Sequence, residues 1–251
     1  MNRLAVDLVL TAVNLLSVIA ASALVVLTSR PCRESRVPYL LAIPAGFGLM
    51  GIAFAVQVLE PFLVLGSPLL GLPVAAVTLL TQAYGVLFLA FAYARRTGLR
   101  ILGRSTLADL LAAILVTVAL FGVVFVTQAV GAVNAVALSA ELFMRAVIIA
   151  ATIYLMYETL RNWSLTHRAS EGFVTIGFSF FLVEQLGFTL ALGNLGSVAT
   201  FLAYEGRTLG LFVLNAVLVV GVRKGDLLTT LKRLGLGAPA HSRPTQLTLQ
   251  T

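Results

Sequence analysis

Apolar residues run almost unbroken along this chain, and polar residues collect in the gaps between the runs. Seven runs reach about the 20 residues that a bilayer core requires. They are roughly Leu4–Leu27, Tyr39–Leu59, Leu70–Ala94, Leu107–Val130, Ala135–Leu160, Phe173–Leu192 and Val198–Val222. None alternates apolar with polar as a barrel strand does; each is continuous and rich in Leu, Ala and Val. The pattern predicts an all-α polytopic membrane protein, a seven-transmembrane-helix bundle over residues 1–222 with a tail over 223–251. The first run exceeds the 7–15 residues of a signal-peptide core, so it is read as the first helix.

Proline and glycine mark the second run. Pro44 lies inside it and removes a backbone hydrogen bond; Gly46, Gly48 and Gly51 follow. The expectation is a plain proline kink packed by glycine, with a kinked or broken helix whose freed carbonyls line a cavity, at Pro44, Gly46 and Gly48, as the functional alternative. The connection from Glu60-Pro61 to Pro73 is apolar and turn-rich, and is expected to dip along the outer surface. The short links Gly131–Asn134 and Gly193–Gly196 predict antiparallel neighbours. Beyond the seventh run, Leu227, Leu228, Leu231 and Leu234 share one helical face, with Lys232 and Arg233 off it. Residues 226–234 therefore read as a short amphipathic helix on the inner leaflet, or as a docking helix for a cytosolic partner. The composition from Gly235 onward is that of a disordered tail.

Basic residues orient the bundle. Of the seventeen Lys and Arg, all but Arg3, Arg145 and Arg207 fall in the first, third and fifth connections or the tail. The positive-inside rule then puts the N-terminus outside and the C-terminus in the cytoplasm. The same bias accounts for a pI near 10.2 without nucleic acid, which is not an expected direct partner. The expected partners are a bilayer with anionic inner-leaflet headgroups and, through the basic cytoplasmic face, other proteins of a membrane complex. The expected location is the cell membrane. Composition agrees: 59% of the 251 residues are hydrophobic and 11% charged, too few charges to cover a water-facing surface.

Against that background the intramembrane charges stand out. Glu141 and Arg145 are four apart on one face of the fifth run, where acid and base can pair. Glu184 and Gln185 lie in the sixth run, Glu205 and Arg207 in the seventh. At ~1.5 Å per residue, all five charges fall roughly 9–15 Å below the outer boundary, with Asn14 of the first run and Gln82 of the third near the same level. Ionisable groups at such depth are costly and are functional candidates by default. The expected pairs are Glu141–Arg145 and Glu184–Arg207. Glu205 and Arg207, two apart, point to different faces, which leaves Glu205 to be protonated, to face water or to bind a cation. The layer can serve as a substrate or ion site, a proton relay or a sensitive lock, or only as glue between helices.

Other chemistry is excluded or weakened. Histidine occurs only at 167 and 241, outside the runs, which removes bis-histidine haem and intramembrane zinc proteolysis. No lysine lies in any run, so a retinal Schiff base has no residue to form on. Glu141-x-x-x-Arg145 resembles half of the Glu-Glu-x-x-x-Arg motif of CAAX-type intramembrane proteases, but Ala140 replaces the first Glu and the later histidines are missing. Cys32, the one cysteine, reads as a loop thiol or lipidation site. Trp163, Tyr39, Tyr93, Tyr154 and Tyr157 read as an aromatic belt at the inner interface. No cofactor is expected. The reading is a non-enzymatic transport or translocation component: a channel, carrier or membrane-embedded subunit. A seven-helix sensor or scaffold is the alternative, and an intramembrane lipid-modifying enzyme a lesser one.

Overall fold

The computed structural model describes residues 3–34, 38–66, 71–96, 133–167, 169–192 and 196–223, and among these the chain is helical apart from His167. The helices are α1 (Arg3–Glu34), α2 (Ala42–Gly66), α3 (Gly71–Arg96), α4 (Val133–Thr166), α5 (Ala169–Leu192) and α6 (Gly196–Arg223). Six of the expected runs are thus helices, and each is long and apolar enough to cross a membrane. The fourth run, the links at Gly131–Asn134 and Gly193–Gly196, and the amphipathic stretch 226–234 fall wholly or largely outside the described residues.

Several boundaries differ from those read in the sequence, because helices overrun their apolar runs. Pro44 sits in the first turn of α2, after a 3-10 turn at Pro38–Leu41, and the α-helix is continuous from Ala42 to Gly66. A proline so early costs the helix little, since the first N–H groups lack intrahelical partners anyway. Pro61 lies within the last turns of α2, so the connection expected to begin at Glu60 begins after Gly66. Arg30 and Arg33 belong to α1, where Arg30 pairs with Glu34 at 2.8 Å. Cys32 is also in α1 and only 1% exposed, packed in the core rather than presented on a loop. Tyr93 is buried in that core as well, whereas Tyr157 and Trp163 are exposed. The α4–α5 turn is closed by His167, whose φ of 52° and N–H bond to the Trp163 carbonyl form a left-handed helix cap.

The helices close into a ring. α1, α2 and α3 pack in order, as do α4, α5 and α6; α3 packs on α4, and α6 returns to α1. Contacts fix their directions. Gly48 and Gly51 of α2 face Val25 and Ala21 of α1, and Gly46 and Gly85 join α2 to α3; both pairs are antiparallel. Gly177 and Gly187 of α5 face Leu214 and Ala203 of α6, and Thr175 of α5 bonds Thr159 of α4, so these pairs are antiparallel too. Asn14 and Ala20 of α1 meet Arg207 and Asn215 of α6 in parallel. It follows that α3 and α4, adjacent in the ring, run in the same direction. The end of α3 and the start of α4 therefore lie at opposite ends of the ring.

Close helix approach depends on glycine at two places. A Cβ on Gly85 would stand 2.6 Å from Met50 Cγ and 2.8 Å from the Gly46 carbonyl oxygen. On α6, Cβ atoms at Gly206 and Gly210 would stand 2.9 and 2.8 Å from the carbonyl oxygens of Phe180 and Gly177. The small-residue stripe Gly206-x-x-x-Gly210 is thus the surface on which α5 lies. Gly85→Val is expected to destabilise the bundle by about 1–3 kcal/mol, because backbone cannot move aside as a side chain can. Denaturant unfolding in detergent measures this, and an unchanged midpoint would refute so close an α2–α3 contact.

The ring carries large apolar side chains on its outer surface and encloses polar ones beside its apolar core. Leu8, Val26, Phe62, Ile153, Val198 and Phe212 are exposed, while Asn14, Gln82, Glu184, Gln185 and Arg207 are buried. Water as solvent favours the reverse. An all-helical chain with six such helices is compatible with a multi-pass transmembrane protein.

Candidate functional site: a buried charged centre

One polar centre joins five of the six helices. Arg207 of α6 is 0% exposed, so its guanidinium has exchanged water entirely for protein. Its Nη1 donates to Gln57 Oε1 of α2 at 2.5 Å, and its Nη2 donates to Asn14 Oδ1 of α1. The carboxylate of Glu184 on α5, also 0% exposed, approaches Nη1 at 3.8 Å, an ion pair without a direct hydrogen bond. Glu184 Oε1 instead accepts from Gln82 Nε2 of α3 at 2.8 Å. The charges of opposite sign therefore face one another, while Arg207 donates to the oxygens of neutral amides and Glu184 accepts from the nitrogen of another.

Aromatic rings complete the cradle. The Arg207 guanidinium carbon lies 4.6 Å from the ring centroid of Phe54 and 4.7 Å from that of Tyr204. Tyr204 meets Phe188 edge to face at 5.3 Å, and Phe188 lies 5.0 Å from the Arg145 guanidinium carbon. Two cations and three rings thus form one stack across α2, α4, α5 and α6. Each contact of this kind is worth about 0.5–2 kcal/mol, more where water is excluded. Arg145 also bonds Glu141 through Nη2 at 2.7 Å and Nε at 3.1 Å, on the half-buried flank of α4. It remains within coulombic reach of Glu184.

The structure therefore brings together Glu141, Arg145, Glu184, Gln185, Arg207 and Asn14. Glu205 is half-buried and has no ion pair among the described residues. Pro44, Gly46 and Gly48 stand apart, in the first two turns of α2, whereas Gln57 of that helix reaches the centre. Gln57, Phe54, Tyr204 and Phe188 are site residues that the sequence reading passed over. Gln57 carried a usable signal, an amide in an otherwise apolar run, just as Asn14 did. The rings carried none, since an aromatic in an apolar run is ordinary core.

Several buried polar atoms at the centre have no hydrogen-bond partner among the described residues: Glu184 Oε2, Gln185 Oε1 and Arg207 Nε. Unpaired buried polar atoms are costly, and in native proteins they mark a water, a ligand or a working site. No protein family, curated protein or solved structure matches the chain. Its functional reading accordingly rests on this geometry.

Proposed function

We propose that the chain is a seven-span protein of the cell membrane, a transport or translocation component whose transported species meets the Arg207–Glu184 centre. The observation that carries this reading is an ion pair in the middle of a helix ring, held by groups from α1, α2, α3, α5 and α6, with unused polar atoms on both charges. A pair serving only to fix helix register gains nothing from unspent hydrogen-bonding capacity in a low-dielectric interior. The parallel run of α3 and α4 supports a seventh crossing in residues 97–132, where the fourth apolar run lies. The exposed Arg30, Arg33 and Arg161 share the end of the ring remote from the centre, which supports an outside N-terminus and a basic face on anionic headgroups.

Purified protein in proteoliposomes on a solid-supported membrane tests the proposal. Concentration jumps of inorganic ions, amino acids and organic acids are expected to elicit a current from the native chain. That current should be lost, at least tenfold, in the charge-neutral variant Glu184→Gln/Arg207→Gln. An equal current from a folded double variant would remove the centre from the transport path. Silence of the native protein toward the whole panel would favour the second reading, a sensor or scaffold that holds a cytoplasmic partner on its exposed arginines.

A further inference from the structure

We infer that Glu184 is a proton-binding site and that the proton is the ion coupled to movement through the centre. The inference rests on the transport reading and names its coupling ion. Three features point to it. First, Glu184 Oε2 is buried and has no donor among the described residues. Second, Gln185 Oε1, on the next residue of α5, is also buried with no donor among the described residues. A proton on Oε2 converts an orphaned acceptor into an O–H, and so puts a donor among buried acceptors. Third, Arg207 does not depend on Glu184 for its hydrogen bonds, because Asn14 and Gln57 accept from its Nη groups and two rings cover its faces. The acid can change charge while the cation stays solvated.

The step is a simple transfer. A hydronium ion gives its proton to Oε2, an O–H bond forms, water leaves, and Glu184 passes from −1 to neutral. The attraction to Arg207 across 3.8 Å is then lost, and the centre gains one positive charge. In a low-dielectric interior that change acts strongly on everything nearby. Among the described residues, the charged and titratable groups facing Glu184 are Arg145 on α4, with its partner Glu141, and Arg207 and Tyr204 on α6. Gln82 is the polar group from α3, and Glu60 on α2 acts on Tyr204. Glu205, on the far side of α6, has no ion pair among the described residues and serves as a control.

Infrared difference spectra of the full chain in nanodiscs, recorded as pH is stepped, test the site. The chain has ten Asp and Glu, each of which gives a C=O stretch when protonated; one such band, present in the native protein and in Glu205→Gln, is expected to be missing in Glu184→Gln. Gln82→Leu, which removes only a donor to the carboxylate, should shift the pH midpoint of that band. Persistence of the band in Glu184→Gln, or an unmoved midpoint in Gln82→Leu, overturns the assignment. Proteoliposomes loaded with pyranine then report proton entry under a potassium–valinomycin potential, expected to fall at least tenfold in Glu184→Gln. A Glu184 band without proton entry overturns the coupling. Solute currents that persist without any Glu184 band overturn the proton site and leave the transport reading standing.

Discussion

Arg207→Ala is expected to destabilise the bundle by about 3–5 kcal/mol, the cost of leaving a buried charge without its counter-charge. The loss has several parts. Glu184 keeps the Gln82 amide but loses the cation facing it, and the oxygens of Asn14 and Gln57 lose their donors. Phe54 and Tyr204 lose the guanidinium packed against their rings. Neutralising both charges is a different change. In Glu184→Gln/Arg207→Gln no charge remains to be buried, and side-chain amides still offer donors and acceptors to their neighbours. A double-mutant cycle through denaturant unfolding in detergent should therefore show coupling of about 0.5–3 kcal/mol, with the double variant more stable than the sum of the singles. Strict additivity would mean that the two charges do not sense one another across the 3.8 Å gap. The cycle also separates glue from site. Structural glue predicts that restored stability brings restored flux, whereas a transport site predicts a folded and inactive double variant.

How much of this was readable in the sequence depended on whether the signal was local. Glu141–Arg145 follows from a spacing of four on one helix, and no partner helix is needed to place it. The facing of Glu184 and Arg207 required only that two charges at matching depth lie on adjacent antiparallel helices. What could not be read was the distribution of hydrogen bonds. The sequence suggests that the acid would take up the arginine's donors, but the structure gives those donors to amides on α1 and α2. That choice depends on ring closure, α6 returning to α1, which no local pattern encodes. Pro44 shows the opposite failure. A proline inside an apolar run implies a kink or a break, but the helix starts just before it, and hydropathy does not mark a helix start. Cys32 and Tyr93 failed for a related reason: helices extend past their apolar runs, so residues read as interfacial are buried between them.

The amides make the last prediction, and it is the one that decides whether Glu184 is free to change charge. Hydrogen bonds to a charged group contribute about 1.5–3 kcal/mol each. Asn14→Leu and Gln57→Leu are each expected to cost about that much, since each leaves one Nη group of Arg207 with a buried, unmatched donor. Together they should cost more than their sum, because the first loss leaves the guanidinium more dependent on the remaining acceptor. Glu184→Gln, in contrast, removes an attraction but no hydrogen bond of Arg207, and it is expected to cost less than the amide double variant. The order of the two losses, read from unfolding midpoints under one condition, settles which groups solvate the cation. If Glu184→Gln proved the more damaging, the ion pair would be the fixed strut of the ring and the amides its accessories, and a carboxylate so placed could not release its charge without loosening the bundle. The opposite order leaves the cation fixed by α1 and α2 while the acid on α5 responds to its surroundings, and a centre that couples an ion to movement needs that division of labour.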